Sequence, residues 1–312
     1  MRYSRQEILI GKKAQEKLRN STVSIVGLGA LGSVSANLLA RAGIGKLILI
    51  DRDLVEITNL QRQSLFTEEH LDKPKAIVAV EILKKINSEV EVVSYFDDLN
   101  YKTINLIKSD LILDCTDNLE TRFLINEFCV KNRIPRIYSS AIKSSGYVFN
   151  ILPDKPCINC ILRNLKAEET CEVSGVLNTI TNLISSIQVN EAIKILTDGN
   201  PEKDLIFFNM AKNELTKVKI RKDPNCDACN KKFEYLNGKK QLNFVKYCGS
   251  DTYKISLNFN FDKVKSNLKK IGIKDFKTAF QFKNLMVFKN SVLIKADSEK
   301  EAKSLYAKYL GN

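Results

Sequence analysis

The stretch TVSIVGLGALG, from Thr22 to Gly32, decides the fold of this 312-residue chain. The β-branched residues of Thr22–Val26 predict a buried strand, because branched side chains pack well on a pleated surface. The glycines that follow, Gly27, Gly29 and Gly32, predict a tight turn that leads directly into a helix. Such a turn presents backbone N–H groups at a helix N-terminus, where phosphate binds. The sequence therefore predicts a nucleotide-binding loop; a turn that only packs helix against sheet is the alternative.

The residues after this loop complete a strand–helix–strand unit. A helical pattern runs to about Ala42, and a second apolar run, Lys46–Ile50, ends at the acidic residues Asp51 and Asp53. An acid about 20 residues after the glycine loop is the usual partner of ribose hydroxyl groups, so Asp51 is the candidate ribose ligand. On this motif alone NAD is the default nucleotide, and an NAD-dependent oxidoreductase is the competing function.

Strands and helices continue to alternate as far as about Ser139, which predicts a parallel sheet with helices on both faces. The predicted strands are Val90–Tyr95, Leu111–Asp114 and Arg136–Tyr138, and the predicted helices are Ala76–Ile86 and Leu119–Lys131. Beyond them we predict a strand over Gly146–Leu152, an amphipathic helix over Val176–Leu196, and a hairpin made of Leu205–Phe208 and Glu214–Ile220. The predicted fold class is α/β, with a Rossmann-like sheet covered on both faces.

The character of the sequence changes after residue 231. Short alternating strands are predicted at Tyr253–Phe259, Leu285–Phe288 and Ser291–Ile294, and helices at Asp262–Lys270 and Ser298–Tyr309. This mixture predicts a separate small α+β domain. We therefore expect a nucleotide-binding domain over residues 1–231 and a small C-terminal α+β domain over residues 232–312.

Four of the eight cysteines form two CxxC pairs, CINC at Cys157–Cys160 and CDAC at Cys226–Cys229. Two such pairs suit a closed tetrahedral Zn²⁺ site, which stabilises a fold and leaves no open position for chemistry. Hairpin-like turns near both pairs indicate a zinc ribbon, and a redox dithiol or an iron–sulfur site is the alternative. The predicted metal ligands are Cys157, Cys160, Cys226 and Cys229.

Three charged residues favour a nucleotide that reacts at phosphorus over NAD. Arg62 follows the second strand and can reach a triphosphate as a bidentate fork, and Lys75 stands at a helix start as a second cation. Asp117 follows the strand Leu111–Asp114, where a carboxylate can hold Mg²⁺ against phosphate oxygens. Each residue alone is more simply a solvated charge, and only the set, in this order and spacing, supports a site.

Single residues and the whole composition limit the function further. Cys171 stands alone in a polar segment, as an inert thiol or as a nucleophile that carries a persulfide. His70 is the only histidine, which argues against a Ser/His/Asp triad. The net charge of +13 is spread along the chain, which argues against nucleic acid and favours an acidic protein partner. No apolar run approaches the roughly 20 residues of a membrane span, so we expect a cytoplasmic protein.

Together these residues closely resemble the MoeB/ThiF family, the ubiquitin-activating-enzyme-like adenylyltransferases. The resemblance runs from Arg2 to Cys229 and rests on a series of stretches in a fixed order. They are RYSRQ (Arg2–Gln6), VGLGALGS (Val26–Ser33), DRDLVEITNLQRQ (Asp51–Gln63), KPKA (Lys73–Ala76), DCTDN (Asp114–Asn118), CINC, TCEVSGV (Thr170–Val176) and CDAC. The tail is similar to one found on some longer, often archaeal, members, through YCGSDTYKI (Tyr247–Ile255) and the closing EAKSLYAKYLG.

The resemblance implies a homodimer in which each subunit binds ATP and Mg²⁺ and joins AMP to the C-terminal Gly-Gly carboxylate of a ubiquitin-like sulfur carrier. By motif position, the nucleotide ligands are Gly27, Gly29, Gly32, Asp51, Asn59, Arg62, Lys75, Asp117 and Asn118. Within this set the resemblance assigns Asn59, Arg62 and Lys75 to the phosphates and Asp117 to Mg²⁺. Arg5 resembles an arginine that reaches the ATP of the opposite subunit. Cys171 stands where family members carry a cysteine that forms a thioester or acyl disulfide with the carrier.

The implied chemistry agrees with the residues of the chain. A carrier carboxylate is already ionised, so the reaction needs no general base and a single histidine suffices. Family members serve thiamin and molybdopterin biosynthesis, tRNA thiolation and protein conjugation, and the resemblance leaves these pathways open. A cysteine desulfurase or a rhodanese is the expected sulfur donor. The alternatives are a related enzyme that acts on a tRNA or a small-molecule carboxylate, and a scaffold that binds a carrier without activating it.

Overall fold

The stretch Thr22–Gly32 folds as predicted, with a buried strand, a glycine turn and a helix that begins at Gly32. The computed structural model describes residues 2–162, 175–240, 244–246, 251–256 and 259–310. Within these ranges the chain forms two β-sheets, and helices pack around them.

Helices and strands alternate through the first part of the chain. The helices are α1 (Ser4–Ile10), α2 (Lys12–Asn20), α3 (Gly32–Ala42), α4 (Lys75–Ile86), α5 (Leu119–Asn132), α6 (Asn159–Leu162) and α7 (Asn178–Leu196). The strands are β1 (Thr22–Val26), β2 (Lys46–Asp51), β3 (Glu91–Phe96), β4 (Leu111–Asp114), β5 (Arg136–Ile142), β6 (Ser145–Ile151), β7 (Leu205–Asn209) and β8 (Glu214–Val218). Every strand and helix predicted for this part is present, with small differences at the ends. None of the described helices has the length and apolar character needed to span a membrane.

The first sheet has the strand order β3-β2-β1-β4-β5-β6-β7-β8. The strands from β3 to β5 pair in parallel, and those from β5 to β8 pair antiparallel. The strand order reverses between β1 and β4, which is the position where open α/β sheets bind ligands. Val26 at the end of β1 is in register with Ile50 on one side and Asp114 on the other. The residues that follow these three strands therefore meet at one edge, called here the nucleotide edge.

Helices cover both faces of the parallel strands. Alternate residues of a strand point to opposite faces. In β2, Leu47 and Leu49 belong to one hydrophobic cluster, to which α3, α4 and α7 contribute. Ile48 and Ile50 belong to a second cluster, to which α5 contributes. Both faces are thus buried, and the predicted α/β class with two-sided cover is confirmed.

The second sheet is antiparallel and lies in the C-terminal part of the chain. Its strands are β9 (Phe244–Lys246), β10 (Thr252–Ile255), β11 (Lys274–Asp275), β12 (Ala279–Phe282), β13 (Leu285–Phe288) and β14 (Val292–Lys295), in the order β11-β12-β13-β14-β10-β9. Two helices, α8 (Phe261–Lys269) and α9 (Glu299–Tyr309), accompany it. The predicted strand Tyr253–Phe259 ends at Ile255, and residues 257 and 258 lie outside the described ranges. The short strands β9, β11 and β12 have no counterpart among the predicted elements.

The second sheet packs against the end of β3. The ring of Phe96 meets Phe276 and Phe288 edge-on, with ring centroids 5.4 and 5.3 Å away. Thr278 donates a side-chain hydrogen bond to the carbonyl oxygen of Phe96 at 3.2 Å. Phe288 and Leu293 also belong to the hydrophobic cluster that packs against one face of the first sheet. The two sheets therefore share part of one core.

Residues just beyond the predicted domain boundary pack against α5. The Glu127 carboxylate accepts hydrogen bonds from the backbone N–H groups of Glu234 at 3.2 Å and Leu236 at 2.8 Å. The ring of Tyr235 lies against that of Phe123, with centroids 5.2 Å apart. The division at residue 231 stays a prediction, and we propose from these contacts that the boundary lies beyond Leu236.

Candidate nucleotide site and metal centre

The glycine loop lies where β1 ends, against the segment that follows β4. Gly27 has a left-handed backbone, with φ of 89°, and a side-chain carbon added there would lie 2.7 Å from the Cys115 carbonyl oxygen. An added carbon at Gly32 would lie 1.8 Å from the Gly27 carbonyl oxygen, so close packing requires glycine at both positions. At Gly29 an added carbon would meet no atom of the described chain within 4 Å, apart from sequence neighbours. Close packing at Gly27 and Gly32 therefore fixes the loop, and the open space at Gly29 lets a nucleotide approach the backbone.

Asp51, the predicted ribose ligand, ties the glycine loop to the end of β2. One carboxylate oxygen accepts a hydrogen bond from the Leu28 N–H at 2.6 Å, and the other accepts one from the Asp53 N–H at 2.7 Å. Burial, together with the negative charge of Asp53, raises the pKa of Asp51 to about 6. The structure thus brings Asp51 to the loop, and its contact with a ribose stays a prediction.

Lys75 opens α4 and is surrounded by acidic residues. The side chain is buried, and its Nζ atom lies 3.3 Å from Asp53 Oδ2. Burial by itself lowers the pKa of Lys75, but the negative charges of Asp53, Asp51 and Asp117 outweigh burial, so the pKa is raised overall. Lys75 is therefore a fixed cation that stays charged at neutral pH, as a phosphate-binding lysine must.

Asp117 follows β4 at the nucleotide edge, and its side chain is 79% exposed. The next residue, Asn118, caps α5, because its side-chain oxygen accepts a hydrogen bond from the Thr121 N–H at 2.8 Å. This cap fixes the turn that carries Asp117. An exposed carboxylate on a fixed turn is a suitable oxygen ligand for Mg²⁺. The contact of Asn118 with a nucleotide stays a prediction.

Asn59 and Arg62 lie in the segment between β2 and α4. Asn59 is buried and accepts a hydrogen bond from the Glu56 N–H at 3.3 Å, which closes a short 3₁₀ turn over Ile57–Asn59. Arg62 donates from one nitrogen to the Thr58 carbonyl oxygen at 2.8 Å. A guanidinium has further N–H donors with which it can bind an anion. This turn therefore fixes the backbone from which Arg62 extends.

The four predicted metal ligands converge from two distant segments. Their Sγ atoms all lie within 4.8 Å of one another. Cys157 lies 3.5 Å from both Cys226 and Cys229, Cys160 lies 3.7 Å from Cys229, and Cys157 and Cys160 are 4.0 Å apart. Four sulfurs bound to one Zn²⁺ at about 2.3 Å in a tetrahedron are separated by about 3.8 Å. Ligand type and spacing therefore fit a bound metal ion, as the two CxxC pairs predict.

Cys115 and Cys129 are free thiols outside this cluster. Burial raises the pKa of both thiols to about 12. Both are therefore protonated at neutral pH, and since the thiolate is the reactive form, neither is suited to nucleophilic chemistry.

Comparison with known sequences decides the family. The sequence model of the ThiF family matches residues 3–228. The chain belongs to the ThiF family. The Bacillus subtilis sulfur carrier protein ThiS adenylyltransferase is 38% identical over 265 residues, which cover 81% of this chain and 79% of the relative. The Escherichia coli molybdopterin-synthase adenylyltransferase is 34% identical over 239 residues, which cover 73% of this chain and 96% of the relative.

A solved structure agrees with the ThiF-family fold. E. coli MccB, crystallised with AMPCPP and SeMet MccA, is similar to this chain with a TM-score of 0.64 and 25% sequence identity. The similarity covers 73% of this chain and 74% of MccB. The predicted MoeB/ThiF resemblance and the predicted Rossmann-like fold are both confirmed.

In this ThiF-family chain, Arg5 is separated from the glycine loop of the same chain. The helix that carries it, α1, packs at the far end of α3, where Gln6 donates a hydrogen bond to the Ala42 carbonyl oxygen at 2.9 Å. The 11 residues of α3 start at the loop, and such a helix is about 16 Å long. Arg5 therefore lies away from this loop, and its contact with a nucleotide stays a prediction. Cys171, the predicted covalent residue, lies outside the described residues.

Arg52 lies at the nucleotide edge and Asp98 lies beside it, but neither is among the predicted site residues. The guanidinium of Arg52, directly after β2, lies 2.9 Å from Asp98 and 3.9 Å from both Asp53 and Asp117. Asp98 follows β3, the neighbour of β2 in the sheet. Residues that follow adjacent parallel strands meet at one edge. Both residues stand shortly after predicted strands in the sequence, but their proximity can be recognised only once the strand order is known.

Proposed function

We propose that this ThiF-family chain is an ATP-dependent adenylyltransferase. It joins AMP to the C-terminal Gly-Gly carboxylate of a ubiquitin-like sulfur carrier and releases pyrophosphate. The observation that carries the proposal is the arrangement of the open glycine loop, the charged Lys75 and the exposed Asp117 at one edge of the sheet. Two relatives that are adenylyltransferases by name, one of them for the sulfur carrier ThiS, support the same reaction.

The reaction needs bound cations and no general base. The carrier carboxylate is ionised at neutral pH, so one of its oxygens attacks the α-phosphorus directly. The bond between the α-phosphorus and the bridging oxygen breaks, and pyrophosphate leaves. Lys75 and Arg62 balance the negative charge of the triphosphate, Asn59 adds an amide donor, and the loop backbone and Asp51 bind the rest of the nucleotide.

Asp117 is the proposed ligand of Mg²⁺. Magnesium prefers oxygen ligands and is often held in nucleotide sites by one or two carboxylates together with the phosphates. Bound Mg²⁺ supplies neutralisation of charge that develops on the phosphate oxygens. Asn118 is proposed to contact the nucleotide beside it.

Zinc is the metal proposed for the cysteine cluster. Four thiolates leave no open coordination position, so the ion stabilises the fold and takes no part in the reaction. The cysteines pack among apolar residues that include Phe149 of β6 and Leu205 of β7. The metal therefore links the turn after β6 to the segment after β8 within one apolar cluster.

The proposed active form is a homodimer in which Arg5 of one subunit reaches the ATP of the other. Ile8 and Leu9, on the same helix as Arg5, are 78% and 86% exposed. Two large apolar side chains in neighbouring exposed positions favour a surface that another subunit covers. Cys171 is proposed to hold the activated carrier covalently, and a cysteine desulfurase or rhodanese to supply the sulfur.

Exchange of pyrophosphate into ATP tests the proposed reaction. The protein is mixed with ATP, Mg²⁺ and radiolabelled pyrophosphate, and each Gly-Gly-ending ubiquitin-fold protein of the same genome is added in turn. We expect label to enter ATP with one carrier, and no label with the same carrier shortened by its last glycine. ATP binding without exchange for every carrier would contradict the proposal. Adenylation of a tRNA or of a small-molecule carboxylate instead would reassign the substrate.

A further inference from the structure

A buried carboxylate joins the C-terminal sheet to the nucleotide edge. Asp98 follows β3 and is 1% exposed. One of its oxygens accepts a hydrogen bond from Arg52 at 2.9 Å. The other lies 2.9 Å from Lys254 Nζ and accepts a hydrogen bond from the Ser291 hydroxyl at 2.9 Å. Lys254 belongs to β10 and Ser291 directly precedes β14, so the contact passes from one sheet to the other.

Lys254 is 2% exposed, although lysine is rarely buried to this extent. Its neighbours Tyr253 and Ile255 belong to the core of the second sheet, so Lys254 points to the opposite face, toward the first sheet. An apolar residue fills an interface at lower cost than an ammonium group, as Phe276 and Phe288 do against Phe96. Packing alone therefore does not explain why a charged residue occupies position 254.

Arg52 carries the connection from Asp98 to the proposed Mg²⁺ ligand. Its side chain is 14% exposed, and its Nη2 atom lies 3.9 Å from Asp117. Its Nε atom lies 3.9 Å from Asp53, which in turn lies 3.3 Å from Lys75. A guanidinium is planar and rigid, so anchoring Nη1 on Asp98 sets the direction of the other nitrogens.

We infer that Lys254 is a positioning residue for adenylyl transfer, which acts through Asp98 and Arg52. This role rests on the proposed function. Lys254 keeps Asp98 ionised, ionised Asp98 anchors Arg52, and Arg52 orients the Asp117 carboxylate where Mg²⁺ and the triphosphate are proposed to bind. The C-terminal sheet thus supports the nucleotide site of the same chain.

The charges around Asp98 determine what removal of Lys254 does. The charged groups that face Asp98 are Arg52, Lys254, Asp53, Glu120 and its neighbour Asp97, and Lys289 faces Asp97. Burial alone raises the pKa of Asp98, but the positive charges of Lys254 and Arg52 outweigh burial and lower the pKa to about 2. Without Lys254, Arg52 is the one adjacent cation that opposes burial and the neighbouring negative charges. The pKa of Asp98 therefore rises. Once protonated, Asp98 no longer anchors Arg52, so activity is lost as the pH falls.

The variant Lys254→Met tests this role in the full-length protein, because methionine keeps most of the stem and removes the charge. With the carrier that supports exchange, we expect kcat to be about tenfold below wild type at pH 8 and about a hundredfold below at pH 6. Calorimetric titration with ATP and Mg²⁺, without carrier, is expected to give an affinity about tenfold weaker. A variant-to-wild-type ratio that is equal at both pH values, with unchanged ATP affinity, would overturn the inference.

Lys295→Met is the matched control. Lys295 crosses the same interface, with its Nζ atom 2.7 Å from the Glu56 carboxylate, but the two side chains are 66% and 48% exposed. We expect exchange, ATP affinity and pH profile to match wild type, because an exposed pair contributes little. An equal loss in Lys295→Met and Lys254→Met would mean that any lysine at this interface matters alike, which rejects the specific role of Lys254.

A double variant separates positioning from folding. Asp98→Leu combined with Lys254→Met replaces the buried charges by apolar groups, a change that folded proteins tolerate well. We expect a folded protein whose exchange is low at every pH, since Arg52 has lost its anchor. Wild-type exchange in this variant would overturn the inference. Wild-type protein in the same assay keeps the two proposals distinct, because an inactive wild type rejects the proposed function, whereas an active wild type with an unaffected Lys254→Met rejects only the positioning role.

Discussion

The nucleotide edge and the cysteine cluster hold their functional groups in opposite ways. The edge gathers side chains from the ends of three strands and from α4, and its proposed metal ligand, Asp117, is 79% exposed. The cluster gathers four sulfurs from two tight CxxC turns, and Cys157 and Cys226 are buried. The fold therefore positions the edge, whereas the cluster, with the zinc proposed for it, is expected to help hold the fold. Activity and stability are expected to separate between these two regions.

Substitution at the edge is expected to have the largest effect on activity. For Asp117→Ala we expect exchange to fall by about a thousandfold or more, because the proposed Mg²⁺ ligand is lost. The melting temperature should stay within about 1 °C of wild type, since an exposed carboxylate contributes little to the core. Exchange assays and thermal unfolding measure the two effects. Asp262→Ala, at the exposed first turn of α8, is the control and should change neither.

Near-normal exchange in Asp117→Ala would remove Asp117 from the site. A large drop in melting temperature would contradict the contrast between the two regions.

Substitution in the cluster is expected to show the reverse pattern. Cys157→Ser should lose the bound zinc and lower the melting temperature by about 10 °C or more, because the metal's binding energy is folding energy. Metal content by mass spectrometry and thermal unfolding check this outcome. Cys129→Ala, which changes a free cysteine outside the cluster, should retain the metal. An unchanged melting temperature in Cys157→Ser would show that the cluster is not a structural site.

Cys171→Ala is expected to have the smallest effect on the first reaction. Exchange should stay within about twofold of wild type, since adenylation precedes any covalent step at a cysteine. Formation of the carrier thiocarboxylate, which mass spectrometry detects, should stop. Loss of exchange in this variant would instead assign Cys171 to the nucleotide site, and normal thiocarboxylate formation would remove its covalent role.

The parts of the fold that follow from local pattern were predictable. Strand β1, the glycine loop and α3 are adjacent in sequence, so their periodicity and turn residues suffice. Helices α1 and α2 were not predicted, because distant contacts help to hold them. The side-chain amides of Gln6 and Gln15 both donate to the Ala42 carbonyl oxygen, at 2.9 and 3.0 Å. Strand β11 consists of the two exposed residues Lys274–Asp275, which carry no strand pattern.

The residues of the candidate site likewise divide into those that the sequence predicts and those that it does not. The four cysteines were predictable because CxxC spacing is itself the geometry of a metal turn. The positions of Lys75 and Asp117 at the nucleotide edge were predictable, because Lys75 stands at a predicted helix start and Asp117 lies shortly after a predicted strand. Arg52 and Asp98 became recognisable only once β2 and β3 were known to be neighbours, and Lys254 only once the second sheet was seen against the first. Long-range burial of charge leaves no pattern in a single sequence.

The contact between Asp98 and Lys254 also constrains how such chains can evolve. A change at Asp98 leaves the buried Lys254 without its carboxylate, at a cost of about 3–5 kcal/mol, and a change at Lys254 leaves Asp98 with Arg52 as its one adjacent cation. We therefore expect the two positions to vary together among ThiF-family chains. Lineages without the C-terminal sheet lack Lys254 and Ser291, so their residue at the position of Asp98 is expected to vary freely, and the acquisition of the tail would be recorded at a single position of the ThiF-family domain.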